Sequence, residues 1–390
     1  MRHWHHLISA LLILTAVTAL QASQKRLVSE DEVRRVHLSA LLVDTHNDIT
    51  SKTVDGFDIG TTGSRNHTDL ARLKAGGVGA VFFAAYVAPQ YASKNSAGNR
   101  AMQMVDTIRH DIVARYPRAF VLAKTSRDIE RIHKQSRIAA LIGIEGGHAI
   151  EDSLRLLRNF YELGVRYLTL THTNSNNWAD SSGDIDKPEI KHHDGLTDFG
   201  KQVVAEMNRL GMIVDISHVS DKTFWDALAA SRAPLWASHS SCRALSNVAR
   251  NMTDEMIEAM ARKGGVIQIN FASAFLSQRS ADAERLARAN AMPESEKNIP
   301  PAGLEDAVAH IDHVVKVAGI DAVGIGSDFD GVSSVPTGLE DVSKFPQLTR
   351  ALLENGYSAA QIKKIYGGNT LRLMRAVEKA SSELRRVRWK

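Results

Sequence analysis

The chain has 390 residues, 44% of them hydrophobic and 24% charged, with a formal charge of +4. This length supports one large α/β domain or two ordinary ones, and the mild charge, with no long basic run, excludes the electrostatic footprint of a nucleic-acid binder. The single cysteine, Cys242, excludes an internal disulfide and a thiolate metal cluster.

Residues 1–22 read as a secretory signal peptide. Arg2 and three histidines precede an apolar stretch from Leu7 to Leu20, and small residues follow. The stretch is short for a bilayer span, so an uncleaved anchor is the weaker alternative. No cysteine marks the cleavage region, and no apolar tail ends the chain, so a lipid anchor has no signal. The expectation is an exported protein, periplasmic or secreted, without a stable membrane anchor, in which residues 23–390 form one catalytic domain.

From residue 40 onward, eight apolar, β-branched runs alternate with helix-like segments. The runs are "ALLVD" (40–44), "VGAVFFAAYV" (78–87), "IAALIGIEG" (138–146), "VRYLTLTH" (165–172), "GMIVDISH" (211–218), "APLWASH" (233–239), "GGVIQINF" (264–271) and "AVGIGSD" (322–328). Segments between them, such as "SLRLLRNFYELG" and "TDEMIEAMARKGG", place apolar residues three and four apart. Many open on Ser, Thr or Asp and close on Gly, as helix caps do. Continuous apolar strands alternating with amphipathic helices imply a parallel sheet covered by helices. Eight such units predict an α/β fold of the (β/α)8 TIM-type barrel class. An open doubly wound sheet is the alternative, but no G-x-G-x-x-G follows the first run. Two long connections, 174–195 and 272–302, follow strand C-termini, and long connections there are commonly functional or mobile.

Ionisable residues cluster at those same ends. Asp44, His46 and Asp48 close the first run, Glu145 the third, His172 the fourth, His218 the fifth, His239 the sixth and Asp328 the eighth. Taken singly, a histidine at a strand end is more often a hydrogen-bonded loop residue, and "DFDG" is more often a turn. Together they converge on one barrel mouth, which predicts a metal site there. Histidine and carboxylate without thiolate suit Zn2+, Mn2+ or Co2+ in a hydrolytic centre. The number of ligands exceeds the need of one tetrahedral ion and fits two ions about 3.5–4 Å apart. The strand repeat lets His46 and Asp48 point to one side while Asn47 points away.

The stretches "DTHND", "EGGH", "LTLTHTNSNNWADS", "VDISHVSD", "SHSSCRALSNVARN" and "VGIGSDFDG" resemble, in order, the motifs of the renal or membrane dipeptidase family of zinc dipeptidases. The resemblance implies two Zn2+ per subunit. His46 and Asp48 would hold the first, Glu145 would bridge, and His218 and His239 would hold the second. It further implies that His172 polarises the scissile carbonyl, that Arg250 holds the substrate's terminal carboxylate, and that Asp328 shuttles a proton to the leaving amine and helps hold the α-amino group. The implied reaction is attack of a bridging hydroxide on the peptide bond of a dipeptide, including dipeptides with a C-terminal D-residue. N-acyl amino acids or β-lactams are the alternative substrates, and a homodimer is expected by analogy. The residues "ITSK" after Asp48 are more polar than the family's usual continuation, which leaves side-chain preference open.

Other polar residues are assigned supporting or solvated places. Asp44 and Asp330 are expected to orient ligands, and His148 to support its loop. His192 and His193 are expected to be solvated, and His310 and His313 to belong to the helical shell. Trp178 is expected to line the substrate pocket, and Phe224 and Trp225 to pack.

Overall fold

The computed structural model describes residues 26–63, 65–292 and 298–387, so the expected signal peptide lies outside the described residues. Nine strands form one parallel sheet: β1 (Leu42–Asn47), β2 (Val78–Tyr86), β3 (Phe120–Leu122), β4 (Ile138–Glu145), β5 (Val165–Thr169), β6 (Ile213–Asp215), β7 (Trp236–Ser240), β8 (Val266–Ile269) and β9 (Val323–Ile325). Eight of them follow one another around a barrel in the order β1-β2-β4-β5-β6-β7-β8-β9. β3 is a short addition pairing outside β4, which the sequence reading does not contain. The last and first strands meet just beyond their ends: Asp328 N–H donates to His46 O over 3.0 Å, and Asp48 N–H donates to Phe329 O over 2.8 Å. These bonds make the barrel nearly closed and bring the two motifs at its seam into contact.

The apolar pattern explains the layers. Val43, Phe82, Leu141, Tyr167, Trp236 and Val266 belong to one buried cluster, while Leu42, Phe83, Ile142, Leu168, Ala237 and Ile267 belong to a second that includes the surrounding helices. Successive strand residues thus face opposite layers, the period-two consequence of strand geometry. Rings of Phe82, Tyr167 and Trp236 meet edge-on or tilted, 5.2–5.5 Å apart, and fill the barrel. Gly143 makes room for this plug, since a Cβ there would lie 1.9 Å from Tyr167.

The helices follow the capping signals. Ser153 caps Leu154–Leu163, which ends at Gly164 with φ 113°; Thr253 caps Asp254–Arg262. Connection 272–302 is not a plain loop: it contains helices Ser273–Leu276 and Gln278–Ala289, whose apolar content is too low to stand out as a periodic stripe. Among the described residues, no helix is long and apolar enough to cross a membrane.

Candidate metal centre and active site

The strands end short of several ligands. β5, β6 and β9 stop three residues before His172, His218 and Asp328 respectively. The intervening residues turn inward over the mouth. His218 and Asp328 sit at φ 69° and 63°, a left-handed conformation that is costly for non-glycine residues and is found where surrounding structure enforces it. The Ser181 and Ser182 hydroxyls and the Ser182 N–H all donate to His218 O, which holds this turn from the 174–195 connection.

The side chains converge on Glu145. Its Oε2 lies 3.6 Å from His46 Nε2, while its Oε1 lies 2.9 Å from His218 Nε2 and 3.2 Å from His239 Nε2. Asp48 Oδ2 is 3.1 Å from His46 Nε2, and the Nε2 atoms of His218 and His239 are 3.0 Å apart. The set His46, Asp48 and Glu145 and the set Glu145, His218 and His239 are each compact enough to hold a cation. His46 with His239 and Asp328 is a third such grouping. Glu145 is common to the first two, with one oxygen toward each.

Electrostatics fit a positively charged occupant. His46 Nε2 is buried and faces the carboxylates of Asp48, Glu145 and Asp328 at 3.1, 3.6 and 4.0 Å. Burial works against protonating His46, yet Tyr167, Glu145 and Asp48 raise its pKa well above normal. The pocket therefore favours positive charge at the point where Asp48, Glu145 and Asp328 close in. Burial keeps His218 and His239 well below the ordinary histidine range, aided by repulsion from Arg250. Both imidazoles are thus neutral at pH 7, the form that ligates metal. Burial opposes ionisation of Glu145, but the imidazoles around it hold its pKa well below normal.

Supporting contacts fix the ring orientations. Tyr167 Oη lies 2.8 Å from His46 Nδ1, and Ser238 Oγ lies 2.8 Å from His239 Nδ1. Ser238 Oγ also donates to Asp215 Oδ2 over 2.6 Å, and Asp215 accepts from Thr169 Oγ1 and from Ser238 N–H as well. The imidazoles of His46 and His239 therefore each have a partner on the far nitrogen, as metal-binding histidines characteristically do. Sequence reasoning missed Tyr167, Asp215 and Ser238. Asp215 and Ser238 lie inside the motifs "VDISH" and "ASHS", where a polar residue in an apolar strand is itself the signal.

The remaining candidates surround a mouth cavity of about 390 Å³ lined by Asp48, Glu145, His172, His218 and Asp328 together with Tyr86, Phe275, Glu284 and Arg288. The His172 ring lies between those of His218 and Tyr86, tilted against each, with Nε2 3.8 Å from Glu145 Oε1, and burial lowers its pKa. Burial lifts Asp328 well above the usual carboxyl range, Asp48 and Glu145 adding to it against the pull of His46 and Arg250. Arg250 lies behind this wall, not on it. Its Nη1 donates to Ser240 Oγ over 2.6 Å and its Nη2 to His239 O over 2.8 Å, its guanidinium is 5.5 Å from the Phe275 ring, and its buried Nε has no partner among the described residues.

Several expectations are corrected. Trp178 does not line the mouth; it is fully buried against Phe199 beneath the 174–195 connection, where its bulk packs that loop onto the barrel. His192 and His193 are half-buried, not solvated; His193 N–H donates to both oxygens of Asp180, and its ring bonds Asn176 O. Asp44 and Asp330 are supports as expected, acting through backbone and not through the imidazole rings: Asp44 accepts from His46 N–H over 3.4 Å and from Ser327 N–H and Oγ, and Asp330 accepts from His67 N–H. His148 supports its loop as expected, with Nε2 2.9 Å from Val87 O.

Residues 30–388 match the sequence pattern of the membrane dipeptidase family, peptidase family M19. The chain belongs to that family. Among its relatives, dipeptidase verJ of Clonostachys rogersoniana is 39% identical over 359 residues, 88% of this chain and 86% of its own. The probable dipeptidase PvdM of Pseudomonas aeruginosa superposes with a TM-score of 0.79 at 26% identity, over 90% of this chain and 98% of that one. A metallopeptidase of Rhodobacter sphaeroides, liganded with a phosphinate mimic of the dipeptide L-Ala-D-Ala, superposes with a TM-score of 0.74 at 27% identity, over 87% and 99%. The fold is that of the M19 barrels, and the protein is a metallodipeptidase.

Proposed function

We propose an exported dipeptidase that works with two zinc ions and accepts dipeptides with an L- or D-residue at the C-terminal position. The observation that carries the two-ion reading is the division of Glu145, one oxygen toward His46 and the other toward His218 and His239. His46 and Asp48 would complete one site, and His218 and His239 the other. When bound, such a pair activates water and polarises the scissile carbonyl.

The side chains around the centre supply binding and proton transfer. His172, neutral and facing the mouth, donates to the substrate carbonyl oxygen and stabilises the charge that develops there. Asp328 holds a proton readily, so it can pass one to the departing amine. Its carboxylate form attracts the substrate's α-ammonium. Arg250, half-buried and with Nε unpartnered among the described residues, attracts the terminal carboxylate. Charge at both ends restricts the substrate to two residues. The phosphinate mimic of L-Ala-D-Ala bound by the Rhodobacter relative supports acceptance of a D-residue.

The test is a metal-counted peptide panel. Chelation should abolish release of amino acids from Ala–Ala and Ala–D-Ala, and zinc should restore it at two ions per chain. Full activity at one ion per chain would refute the two-ion reading, and equal turnover of a tripeptide would refute the length limit. Export is tested by the N-terminus of the mature protein, which should begin beyond the first 22 residues.

A further inference from the structure

A second cavity, of about 610 Å³, lies against the start of β5 and β6, at the end of the barrel opposite the metal centre. It is walled by the first turn of helix Ser126–His133 and by the C-terminal helix Asn369–Val387. Lys124, Arg127, Arg166, Arg375, Lys379 and Arg385 line it, against one carboxylate, Glu378. That carboxylate is already engaged, accepting from Ser126 N–H over 2.7 Å and from Ser126 Oγ over 2.9 Å. Arg375 pairs with Glu130, and Lys379 lies 3.9 Å from Glu383.

Arg166 is the unusual member. It is only 8% exposed, yet no carboxylate lies within ion-pair distance of it among the described residues. Its Nε donates to Lys124 O over 2.6 Å, and its Nη1 to Tyr161 O over 3.0 Å and Val165 O over 2.8 Å. Its guanidinium lies 4.2 Å from the Tyr161 ring, and among the described residues its Nη2 has no hydrogen-bond partner. Carbonyls satisfy donors but do not neutralise charge, and buried cations are ordinarily paired. Lys124 and Arg127 stand beside it, exposed and, among the described residues, without ion pairs of their own. The cavity thus has a fixed cation with one edge open and exposed cations at its rim; Glu162, Glu378 and Asp128 act on Arg166 only from beyond ion-pair distance.

We propose that this cavity binds a phosphate group, received on the Nη2 edge of Arg166 and enclosed by Lys124 and Arg127. Arg166 suits such a ligand because its planar fork is anchored on one side and open on the other. The three residues lie outside the peptidase centre, so occupancy acts on stability and leaves the reaction alone. A ligand that binds only the folded state raises its melting temperature with a saturable dependence on concentration.

The experiment uses the metal-loaded full chain, titrated with inorganic phosphate at constant ionic strength and followed by thermal melting and calorimetry. Saturable stabilisation by phosphate, absent with chloride, is expected. Binding should be at least tenfold weaker in the double variant Lys124→Ala/Arg127→Ala, with dipeptide turnover in phosphate-free buffer unchanged. Arg166→Lys should remove the response; because that variant could misfold, the double variant carries the test independently. Glycerol phosphate and phosphatidate vesicles, in separate arms, show whether a soluble or a lipid phosphate is the better ligand. An unsaturable response, an equal response to chloride, or undiminished binding in the double variant overturns the proposal; the last places phosphate elsewhere, such as the metal centre.

Discussion

Asn270 Nδ2 donates to Asp328 Oδ2 over 2.7 Å, leaving Oδ1 of the same carboxyl 4.0 Å from His46 Nε2. The bond joins the end of β8 to the loop after β9 and decides which oxygen faces the mouth. Asp328 is therefore presented in one rotamer, although its backbone is in the left-handed region. Replacing Asn270 by Ala should lower kcat by about 10–100-fold, a fraction of what a placed proton donor contributes. Metal content should stay at the wild-type value. Loss of metal together with activity would show that Asn270 supports the ligands instead of Asp328.

Gly331 stands where no side chain fits. A Cβ would lie 2.4 Å from both Asp328 Oδ1 and Asp48 Oδ2. Gly331→Ala should push these carboxyls out of place, weakening metal binding and reducing kcat/KM at least about tenfold. Metal titration and steady-state kinetics check it. Wild-type behaviour in both would mean the loop shifts freely, contrary to the bonds Asp328 and Asp48 make across the seam.

The barrel and the gathering of ionisable side chains at its mouth were legible because both follow from periodicity. Apolar runs of strand length announced the eight barrel strands, and His46, Glu145, His218 and His239 stood where those runs ended. What escaped detection depends on depth and on partners distant in sequence. Trp178 looks like a pocket residue from its neighbours in "NNWADS", but only the packing under the 174–195 connection shows it buried. Tyr167 is one apolar strand residue among many until the barrel brings its hydroxyl to His46 from 121 positions away. The three residues of β3 are too few to carry a pattern. Arg250 shows the opposite limit. Resemblance assigns it a ligand, yet its surroundings decide how accessible it is.

That accessibility makes Arg250 a sharp test of the dipeptide assignment. Its partial burial lowers its pKa to about 10, still leaving it charged at pH 7. Arg250→Ala should raise KM for Ala–Ala by about two orders of magnitude, the scale of a lost charge-assisted contact. A dipeptide amide, which has no terminal carboxylate, should lose far less. An equal loss for both substrates would indicate that Arg250 only braces Ser240 and His239.

Ser238 links Asp215 to the far nitrogen of His239. Ser238→Ala leaves Asp215 without one of its donors and frees the imidazole to rotate. Metal affinity should fall by about 10–100-fold, the usual consequence of losing such a support. Competition with a chelator of known strength measures it. At saturating zinc, kcat should recover, because Ser238 touches neither substrate nor cation. Failure to recover would give Ser238 a part in catalysis itself.

His310 couples the fold to pH away from the metal centre. It lies on helix Leu304–Ala318 and is fully buried. Its Nδ1 accepts from Cys242 N–H over 2.9 Å, and its Nε2 lies 3.0 Å from Leu276 O. It therefore clamps the segment after His239 to the helix that follows β8, the two stretches bearing Arg250 and Phe275. Burial lowers its pKa to about 4 from an unfolded value near 6.5. Because the folded state resists the proton, the stabilisation is complete above pH 6.5 and is lost as pH falls toward 4. The difference corresponds to about 3 kcal/mol at most. Protonation would also remove the acceptor for Cys242 N–H. Melting of the zinc-loaded protein from pH 7 to 4 should show a steep decline, and His310→Gln should flatten it while lowering stability at pH 7. A variant that loses stability equally at every pH would remove His310 from the acid response and leave that response to the metal ligands.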